Sequence, residues 1–228
     1  MKAFSGQPGI YQVNPFGDQI LVAFSGRQFP KDCRDEFLAA LYLKPSQVFF
    51  LKQVHGNRIL EIDSKTQDTN FEEADGFITQ TKSALEIRTA DCMPVFFADQ
   101  DQKTIGLIHA GWRGLHQSIL EKTVQIFKDR YQIKPEKIHV FIGPSIRACC
   151  YEVGEEFCGY FPETCSAETG EKPKMDLVQE AEKRLAGAGI LKHQITDSAI
   201  CTVCQNHLFF SARKEKTENR IFSVIQIK

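Results

Sequence analysis

The sequence predicts an α+β fold, and three patterns in it support that class. Short apolar runs that suit buried or half-buried strands recur along the 228 residues. Three or four segments with helical spacing lie between these runs. The connections between successive strands resemble hairpins more than the long crossovers of a parallel sheet. No Ser/Gly run, Pro-rich tract or block of like charge divides the chain, so residues 1–228 are expected to form one domain.

The first half is expected to contain several strands and one short helix. The helix is predicted over residues 32–43, with acidic residues early and Pro45 after it. The polar stretch 63–73 is predicted to be a surface loop. The predicted strands are Ile20–Ser25, 48–54, 58–62 and 77–79, and residues 85–88 lead into the central stretch.

The second half is organised around two apolar runs, residues 93–98 and 105–108, which a short polar turn joins. Such a pair is predicted to form neighbouring antiparallel strands. An amphipathic helix is expected over 115–131, and a second over 176–188, capped by Asp176 and ended at Gly189. Further strands are expected at Ile138–Ile142, within 201–210 and at Ile221–Ile227, and another helical segment continues over 157–161.

Composition excludes several classes of protein. The net charge is −1 and the Lys and Arg residues are dispersed, which argues against a nucleic-acid or membrane-surface protein. No apolar run reaches the length of a membrane span, and the N-terminus lacks the apolar core of a signal peptide. A cytoplasmic protein is therefore expected, with its eight cysteines as reduced thiols.

The central hairpin carries chemical groups that an apolar strand pair does not need. Cys92 stands at the start of the first strand and His109 at the end of the second, so antiparallel pairing would bring them together. They are candidates for a nucleophile and its base, or for two ligands of a zinc ion. The turn that follows contains Gly111 and Gly114, where backbone N–H groups can approach a ligand closely.

A third candidate ligand, His55, also follows an apolar strand. Two imidazoles and one thiolate would leave one coordination position of zinc open, as in catalytic sites. Zinc lowers the pKa of water at such a position towards about 7. Because His55, Cys92 and His109 are far apart in sequence, their spacing alone is a weak signal.

The other cysteines and three arginines have both bland and functional interpretations. The CxxC of Cys201 and Cys204 is predicted to be structural, since His207 is the only nearby partner for a zinc site. Cys149 and Cys150 are predicted to be buried packing. Three arginines, each after a strand or a glycine turn, could bind phosphate or form ordinary ion pairs. They are Arg27, Arg113 and Arg213.

Five motifs together resemble one family. They are Q-V-H-G (53–56), A-D-G-F-I-T (74–79), T-A-D-C-M-P-V (89–95), H-A-G-W-R-G (109–114) and I-G-P-S-I-R-A-C-C-Y-E-V-G (142–154). In this order they resemble the YfiH-like or laccase-domain family, also called polyphenol oxidase and peptidoglycan editing factor. The resemblance covers nearly the whole chain. Gly26 and Asn219 stand where the family has Thr and Gly, next to Arg27 and Arg220.

This resemblance implies a fold, a metal and a reaction. The implied fold is an α-β-β-α sandwich like that of the Cys–His toxin deamidases. The implied metal is zinc, held by His55, Cys92 and His109. The implied activity is phosphorolysis of adenosine, inosine, guanosine and methylthioadenosine, with adenosine deamination. Six histidines are too few for the multicopper chemistry of the laccase label.

The leading hypothesis is therefore a zinc-dependent purine nucleoside phosphorylase whose partners are a nucleoside and phosphate. Arg27 or Arg113, with N–H groups of Gly111–Gly114, would hold the phosphate. Asp75 or Asp91 would be the proton shuttle in deamination. The alternative is a metal-free hydrolase that edits peptidoglycan precursors, with Cys92 as nucleophile and His109 as base.

Overall fold

Two stacked β-sheets with helices on their outer faces make up the computed structural model, which describes residues 8–66, 72–167 and 170–228. The strands are β1 Ile10–Val13, β2 Ile20–Ser25, β3 Val48–Phe49, β4 Ile59–Ile62, β5 Gly76–Thr79, β6 Ala84–Thr89, β7 Met93–Asp99, β8 Ile105–Ala110, β9 Ile138–Ile142, β10 Cys165–Ser166, β11 Lys174–Met175, β12 Ile195–Asp197 and β13 Ile221–Ile227. The α-helices are α1 Arg34–Ala40, α2 Trp112–His116, α3 Ile119–Tyr131, α4 Glu156–Tyr160, α5 Leu177–Gly187 and α6 Ala212–Glu215.

Both large sheets are mixed. One has the order β1-β2-β13-β6-β3, in which only the β3–β6 pair is parallel. The other has the order β12-β9-β7-β8-β5-β4, with parallel pairs at its two edges. Strands β10 and β11 form a separate antiparallel pair. The mixed α+β class predicted from the sequence is confirmed.

Alternation along β7 shows how the layers are assembled. Val95 and Phe97 pack into the cluster that contains α3 and α5. Phe96 and Ala98, on the opposite face, pack into the cluster between the two sheets. On the far side, α1 covers the other sheet through a third cluster that includes Phe37. The layers therefore follow the α-β-β-α order, while the likeness to toxin deamidases stays a prediction.

The central hairpin has the predicted pairing. Strands β7 and β8 are antiparallel, with Pro94 opposite His109 and Met93 opposite Ala110. Cys92 directly precedes Met93, so it lies at the same end of the hairpin as His109. All residues of both strands are buried, so a shift of one residue would exchange the side chains that pack against α3 and α5 with those that pack between the two sheets.

Three predicted elements differ in the structure. The strand expected over 48–54 ends at Phe49, after which the chain leaves the sheet. The helix expected over 115–131 is two helices, separated at Ser118, whose φ is +61°. Leu115 and Ile119 are both buried across this break, so the apolar spacing did not reveal it. Residues 202–208 form turns instead of a strand.

Two further observations concern the expectations from composition. The sulfurs of Cys158 and Cys165 are joined in a disulfide, so the expectation of eight reduced thiols is wrong for this pair. No helix among the described residues is long and apolar enough to cross a membrane. The loop predicted over 63–73 lies partly outside the described residues, since 67–71 are not described.

Candidate metal centre and active site

His55, Cys92 and His109 converge at one end of the central hairpin. Their ligand atoms, two imidazole nitrogens and one sulfur, all lie within 4.8 Å of one another. The two imidazole rings meet edge to face, with centroids 4.7 Å apart. His109 is buried, Cys92 is half-buried and His55 is exposed. The cluster therefore has a closed side in the core and an open side towards solvent.

Asp75 sets the orientation of the His109 ring. Asp75 is fully buried, and its Oδ1 lies 2.7 Å from His109 Nδ1. Burial alone would raise the pKa of Asp75, but hydrogen bonds from His109 and the Gly56 N–H lower it overall. An ionised carboxylate can only accept, so Nδ1 carries the hydrogen and Nε2 is left for Cys92 or a metal.

The same carboxylate holds the loop that carries His55. The backbone N–H groups of His55 and Gly56 donate to Asp75 over 2.9 Å and 2.7 Å, and that of Val54 donates over 3.2 Å. His55 has a φ of +60°, in the left-handed region that a side chain occupies only when its surroundings enforce it. One buried charge thus positions two of the three candidate ligands.

Gln53 anchors the start of this loop to β6. Its Nε2 donates to the Arg88 carbonyl over 2.9 Å, and its Oε1 accepts from the Arg88 N–H over 2.8 Å. The paired amide replaces the sheet hydrogen bonds that the chain gives up after β3. Gln53 is therefore a positioning residue. It belongs to the Q-V-H-G motif, but nothing in the sequence indicated this role.

The thiol of Cys92 and the imidazole of His109 are electrostatically coupled. Burial by itself would raise the pKa of Cys92, but attraction to and hydrogen bonding with His109, and then with His55, lower it to about 6. The same contacts with Cys92 and Asp75 raise the pKa of His109 to about 9, against the effect of burial. In the metal-free protein this favours a thiolate beside an imidazolium.

The chemistry of these donors fits a metal ion. A thiolate and two imidazoles suit zinc, and an ordered carboxylate behind a histidine ligand is a common supporting group. A zinc ion held by these three donors would have room for one further ligand. Nothing in this donor set distinguishes zinc from copper by itself.

The two glycines named from the sequence allow close packing at the site. A Cβ on Gly111 would come within 2.9 Å of Cys92 Sγ and 3.5 Å of His55 Cδ2. A Cβ on Gly114 would come within 3.1 Å of the Gly56 carbonyl oxygen. Both positions therefore let the start of α2 pack directly against the candidate ligands and the His55 loop.

Asp91 lies next to Cys92 but makes different contacts from Asp75. Its Oδ1 accepts from Thr202 Oγ1 over 2.6 Å and its Oδ2 accepts from the Arg213 N–H over 2.7 Å. Its backbone has a φ of +93°. With both oxygens occupied, the contacts favour a role in fixing the Cys92 turn over a role in proton transfer.

The two arginines assigned to phosphate from the sequence lie elsewhere. Arg27 donates to both carboxylate oxygens of Glu215 over 2.9–3.0 Å, and its guanidinium stacks on Phe210. Arg113 is exposed and lies over the Trp112 ring at 4.4 Å. Among the described residues that line the cavities at Cys92, neither arginine is present.

Two cavities of similar size meet at Cys92 and Ala212. The first, of about 330 Å³, opens onto His55 and His109 and is lined on its other side by Arg88 and Arg220. The second, of about 310 Å³, contains Asp91 and Arg213 beside the aromatic rings of Trp112 and Tyr151. Of the three candidate ligands, Cys92 lines both cavities, and His55 and His109 line only the first.

Sequence reasoning missed most of this lining. Arg88 lies within a strand, and Tyr151 follows a cysteine pair that looked like packing. In the sequence, Arg220 stands out only as part of a departure from the family motif. Strand alternation predicts which face of the sheet Arg88 lies on, but it does not predict that the loop of His55 lies beside that face.

Comparison with known proteins connects this geometry to named relatives. Purine nucleoside phosphorylase YfiH of Escherichia coli is 35% identical over 192 residues, which is 79% of this chain and 74% of the relative. Purine nucleoside phosphorylase CA_C1699 of Clostridium acetobutylicum is 34% identical over 184 residues, 78% of this chain and 76% of the relative. YlmD of Geobacillus stearothermophilus, also named a purine nucleoside phosphorylase, is 30% identical over 191 residues, 76% of this chain and 70% of the relative.

Solved structures share the fold. The crystal structure of the Bacillus licheniformis hypothetical protein YfiH has a TM-score of 0.91 at 24% identity, and covers 98% of both chains. That of YlmD from Geobacillus stearothermophilus has a TM-score of 0.90 at 23% identity, and covers 99% of both. A family model described as multi-copper polyphenol oxidoreductase laccase matches residues 30–228. The motifs, the fold and these matches agree, and the chain belongs to this laccase-like YfiH family.

Proposed function

We propose that this chain is a zinc-dependent purine nucleoside phosphorylase that acts on adenosine, inosine, guanosine and methylthioadenosine and also deaminates adenosine. The observation that carries the proposal is that His55, Cys92 and His109 line one cavity together with two arginines, and that Cys92 also lines a neighbouring cavity with aromatic residues. The relatives named purine nucleoside phosphorylases support the reaction class.

The aromatic cavity suits the purine. Trp112 and Tyr151 contribute aromatic surface to its lining, against which a purine can pack, and the Arg213 guanidinium lies over the Tyr151 ring at 5.1 Å. The cavity continues outward past Trp112 and Tyr151 into a larger open cleft. A nucleoside entering from this cleft would place its ribose near Cys92.

The arginine-lined cavity suits phosphate. Arg88 and Arg220 line it together with the exposed His55. Arg88 Nε is paired with Glu86 Oε1 over 2.9 Å, and Arg220 Nη1 donates to the Thr217 and Asn219 carbonyls, so the other guanidinium N–H groups would receive the phosphate. Guanidinium groups match phosphate oxygens in charge and in planar geometry. In this proposal the two arginines take the role that the sequence had assigned to Arg27 and Arg113.

Phosphorolysis needs the two substrates in line. A phosphate oxygen forms a bond to C1′ of the ribose while the bond from C1′ to N9 of the purine breaks, and the departing base takes up a proton. Holding both partners in one orientation supplies much of the rate in such a reaction. A zinc ion, when bound, would supply Lewis acidity beside Cys92. Asp75 keeps His109 in a single tautomer throughout.

The test is a direct assay of the metal-loaded protein. Inosine with phosphate should give hypoxanthine and ribose-1-phosphate in equal amounts, and omission of phosphate should stop hypoxanthine formation. Adenosine without phosphate should give inosine and ammonia if the deaminase part is correct. Absence of hypoxanthine from fully metal-loaded protein would refute the phosphorylase proposal, whatever happens to adenosine.

A metal-free hydrolase is the second candidate, and the Cys92–His109–Asp75 geometry favours it. The sulfur and the imidazole nitrogen lie within 4.8 Å of each other and are electrostatically coupled, and Asp75 holds the other ring nitrogen. A nucleophile, a base and an orienting carboxylate in this order form a nucleophilic triad. Its substrate would be an amide of a peptidoglycan precursor.

The metal decides between the two candidates. A phosphorylase that requires zinc loses turnover when a chelator removes the metal and regains it when zinc is returned. A cysteine hydrolase is inhibited by zinc and stimulated by the chelator, because the metal occupies its nucleophile. Inosine and a peptidoglycan amide should both be assayed in each state of the protein.

A further inference from the structure

A second group of potential metal ligands lies outside the site described above. The sulfur atoms of four cysteines lie within 4.8 Å of one another: Cys149, Cys150, Cys201 and Cys204. Cys149 and Cys204 are exposed, so the prediction that the Cys149–Cys150 pair is buried packing is wrong. The residues that lie beside the CxxC cysteines are therefore Cys149 and Cys150, and not His207 as considered from the sequence.

Backbone pairing between two loops creates the group. The loop after β9 contains Cys149 and Cys150, and the loop after β12 contains Cys201 and Cys204. Ser145 forms an isolated parallel bridge with Cys201. The Ser145 N–H donates to the Ile200 carbonyl over 3.2 Å, and the Thr202 N–H donates to the Ser145 carbonyl over 3.1 Å. Both cysteine pairs are therefore fixed by main-chain contacts that do not involve sulfur.

The distances suit a tetrahedral metal. The Cys149–Cys150 and Cys149–Cys204 sulfur pairs are each 3.7 Å apart, and the Cys150–Cys204 pair is 3.4 Å apart. Sulfurs at about 2.3 Å from a tetrahedral zinc lie about 3.8 Å from one another. A disulfide would need about 2.05 Å. The sulfurs of Cys149, Cys150 and Cys204 are thus spaced like three corners of one coordination shell, and the Cys201 sulfur lies within 4.8 Å of each of them.

We propose that Cys149, Cys150, Cys201 and Cys204 bind a structural zinc ion, separate from the metal at His55, Cys92 and His109. Four thiolates complete the tetrahedral shell and leave no position for a substrate, as in structural zinc sites. Binding releases the thiol protons to water and requires no change of oxidation state.

The location explains what this zinc would do. Thr202, within the CxxC, donates to Asp91, and Asp91 is adjacent to Cys92. Tyr151, which lines the aromatic cavity, directly follows Cys150. Joining the two loops through a metal would therefore fix one wall of the candidate active site. The proposal does not depend on the reaction that takes place there.

The test is the metal content of four forms of the full chain, measured by elemental analysis without an affinity tag. The wild type should hold two zinc ions per chain. Cys204→Ser should lose one, His55→Ala should lose the other, and the double variant should hold none. Cys33→Ser is the matched control, because Cys33 is a free, half-buried thiol outside both groups. It should retain both ions.

A second measurement covers the case in which Cys204→Ser does not fold. Cobalt-loaded wild type should then show the strong thiolate charge-transfer absorption of a four-sulfur tetrahedral site, and Cys149→Ser should weaken it. The proposal is overturned by a wild type whose zinc is lost entirely in His55→Ala. It is equally overturned if the four cysteines hold no metal and mass spectrometry finds disulfides among them. Neither result bears on inosine phosphorolysis.

Discussion

Asp75 and His109 are joined twice: the backbone N–H of His109 donates to the Asp75 carbonyl over 2.7 Å, and His109 Nδ1 donates to Asp75 Oδ1 over 2.7 Å. The first bond belongs to the sheet edge and the second to the site. Because both originate in one residue pair, the strand register directly sets the direction of the imidazole. This pair is the most informative place to perturb the centre.

Asp75→Asn should weaken metal binding while the protein still folds. The amide keeps one acceptor but loses the charge that holds Nδ1 as a donor, so we expect metal affinity to fall by roughly 10- to 100-fold. Its NH2 group would face backbone N–H donors, at a cost of about 1–3 kcal/mol in unfolding free energy. Competition with a chromophoric chelator measures the first effect and thermal unfolding the second.

The control for that variant is Asp63→Asn, at an exposed carboxylate in a loop. It should leave metal affinity unchanged. Unaltered metal binding in Asp75→Asn would show that the carboxylate does not orient a ligand.

His55→Ala should sharply reduce the metal content of the centre, because the two remaining donors cannot hold a catalytic zinc well. His116→Ala should change almost nothing. His116 is exposed and packs on the Tyr160 ring, at a centroid distance of 5.0 Å. Metal content and inosine turnover of the two variants should be measured side by side. Full zinc occupancy in His55→Ala at this centre would exclude His55 and strengthen the hydrolase alternative.

Gly111→Ala should disturb the centre through contact alone. The added Cβ would meet Cys92 Sγ at 2.9 Å, so the sulfur or the start of α2 must shift. We expect at least a tenfold loss of metal affinity, since ligand geometry tolerates little displacement. Gly187→Ala in α5 is the matched control, because its Cβ meets no atom within 4 Å and alanine favours helices. Equal metal affinity in both variants would contradict the close approach.

Alkylation of Cys92 in the metal-free protein should follow the pH dependence of its lowered pKa. The thiolate is the reactive form, so the rate should rise through about pH 6 and level off above it. Cys149 is exposed, but partial desolvation of its sulfur beside the neighbouring cysteines raises its pKa to about 11, so it should react slowly at pH 7 in the same sample. Peptide mapping after timed iodoacetamide treatment separates the two sites. An alkylation rate at Cys92 that rises only near pH 9 would show that His109 does not lower the pKa of this thiol.

Arg27→Met and Arg220→Met should have different effects. Loss of Arg27 breaks its pair with Glu215, in which both side chains are partly exposed, and should cost only about 0.5–1 kcal/mol of stability. Its KM for phosphate should remain unchanged. Arg220→Met should raise that KM about tenfold, since a charge-assisted contact to phosphate is lost. A raised KM for phosphate in Arg27→Met, with an unchanged KM in Arg220→Met, would indicate that Arg27 binds phosphate.

The sequence by itself determined the central hairpin, and with it the meeting of Cys92 and His109. Residues 93–98 and 105–108 are apolar and a short polar turn joins them, so the local pattern was enough to predict their antiparallel pairing. The capping of α5 by Asp176 is also confirmed, because that interaction spans only three residues. Features of this kind depend on neighbours in the chain.

Only the tertiary structure decided how the distant loops meet. His55 reaches the site because the buried Asp75 carboxylate accepts N–H groups of its loop, an interaction that apolar periodicity does not encode. The four-cysteine group exists because Ser145 pairs with the chain around Cys201. Arg27, predicted as a phosphate ligand, forms an ion pair with Glu215 instead. A charged side chain has many possible partners along a sequence, and the packing of the folded chain selects one of them.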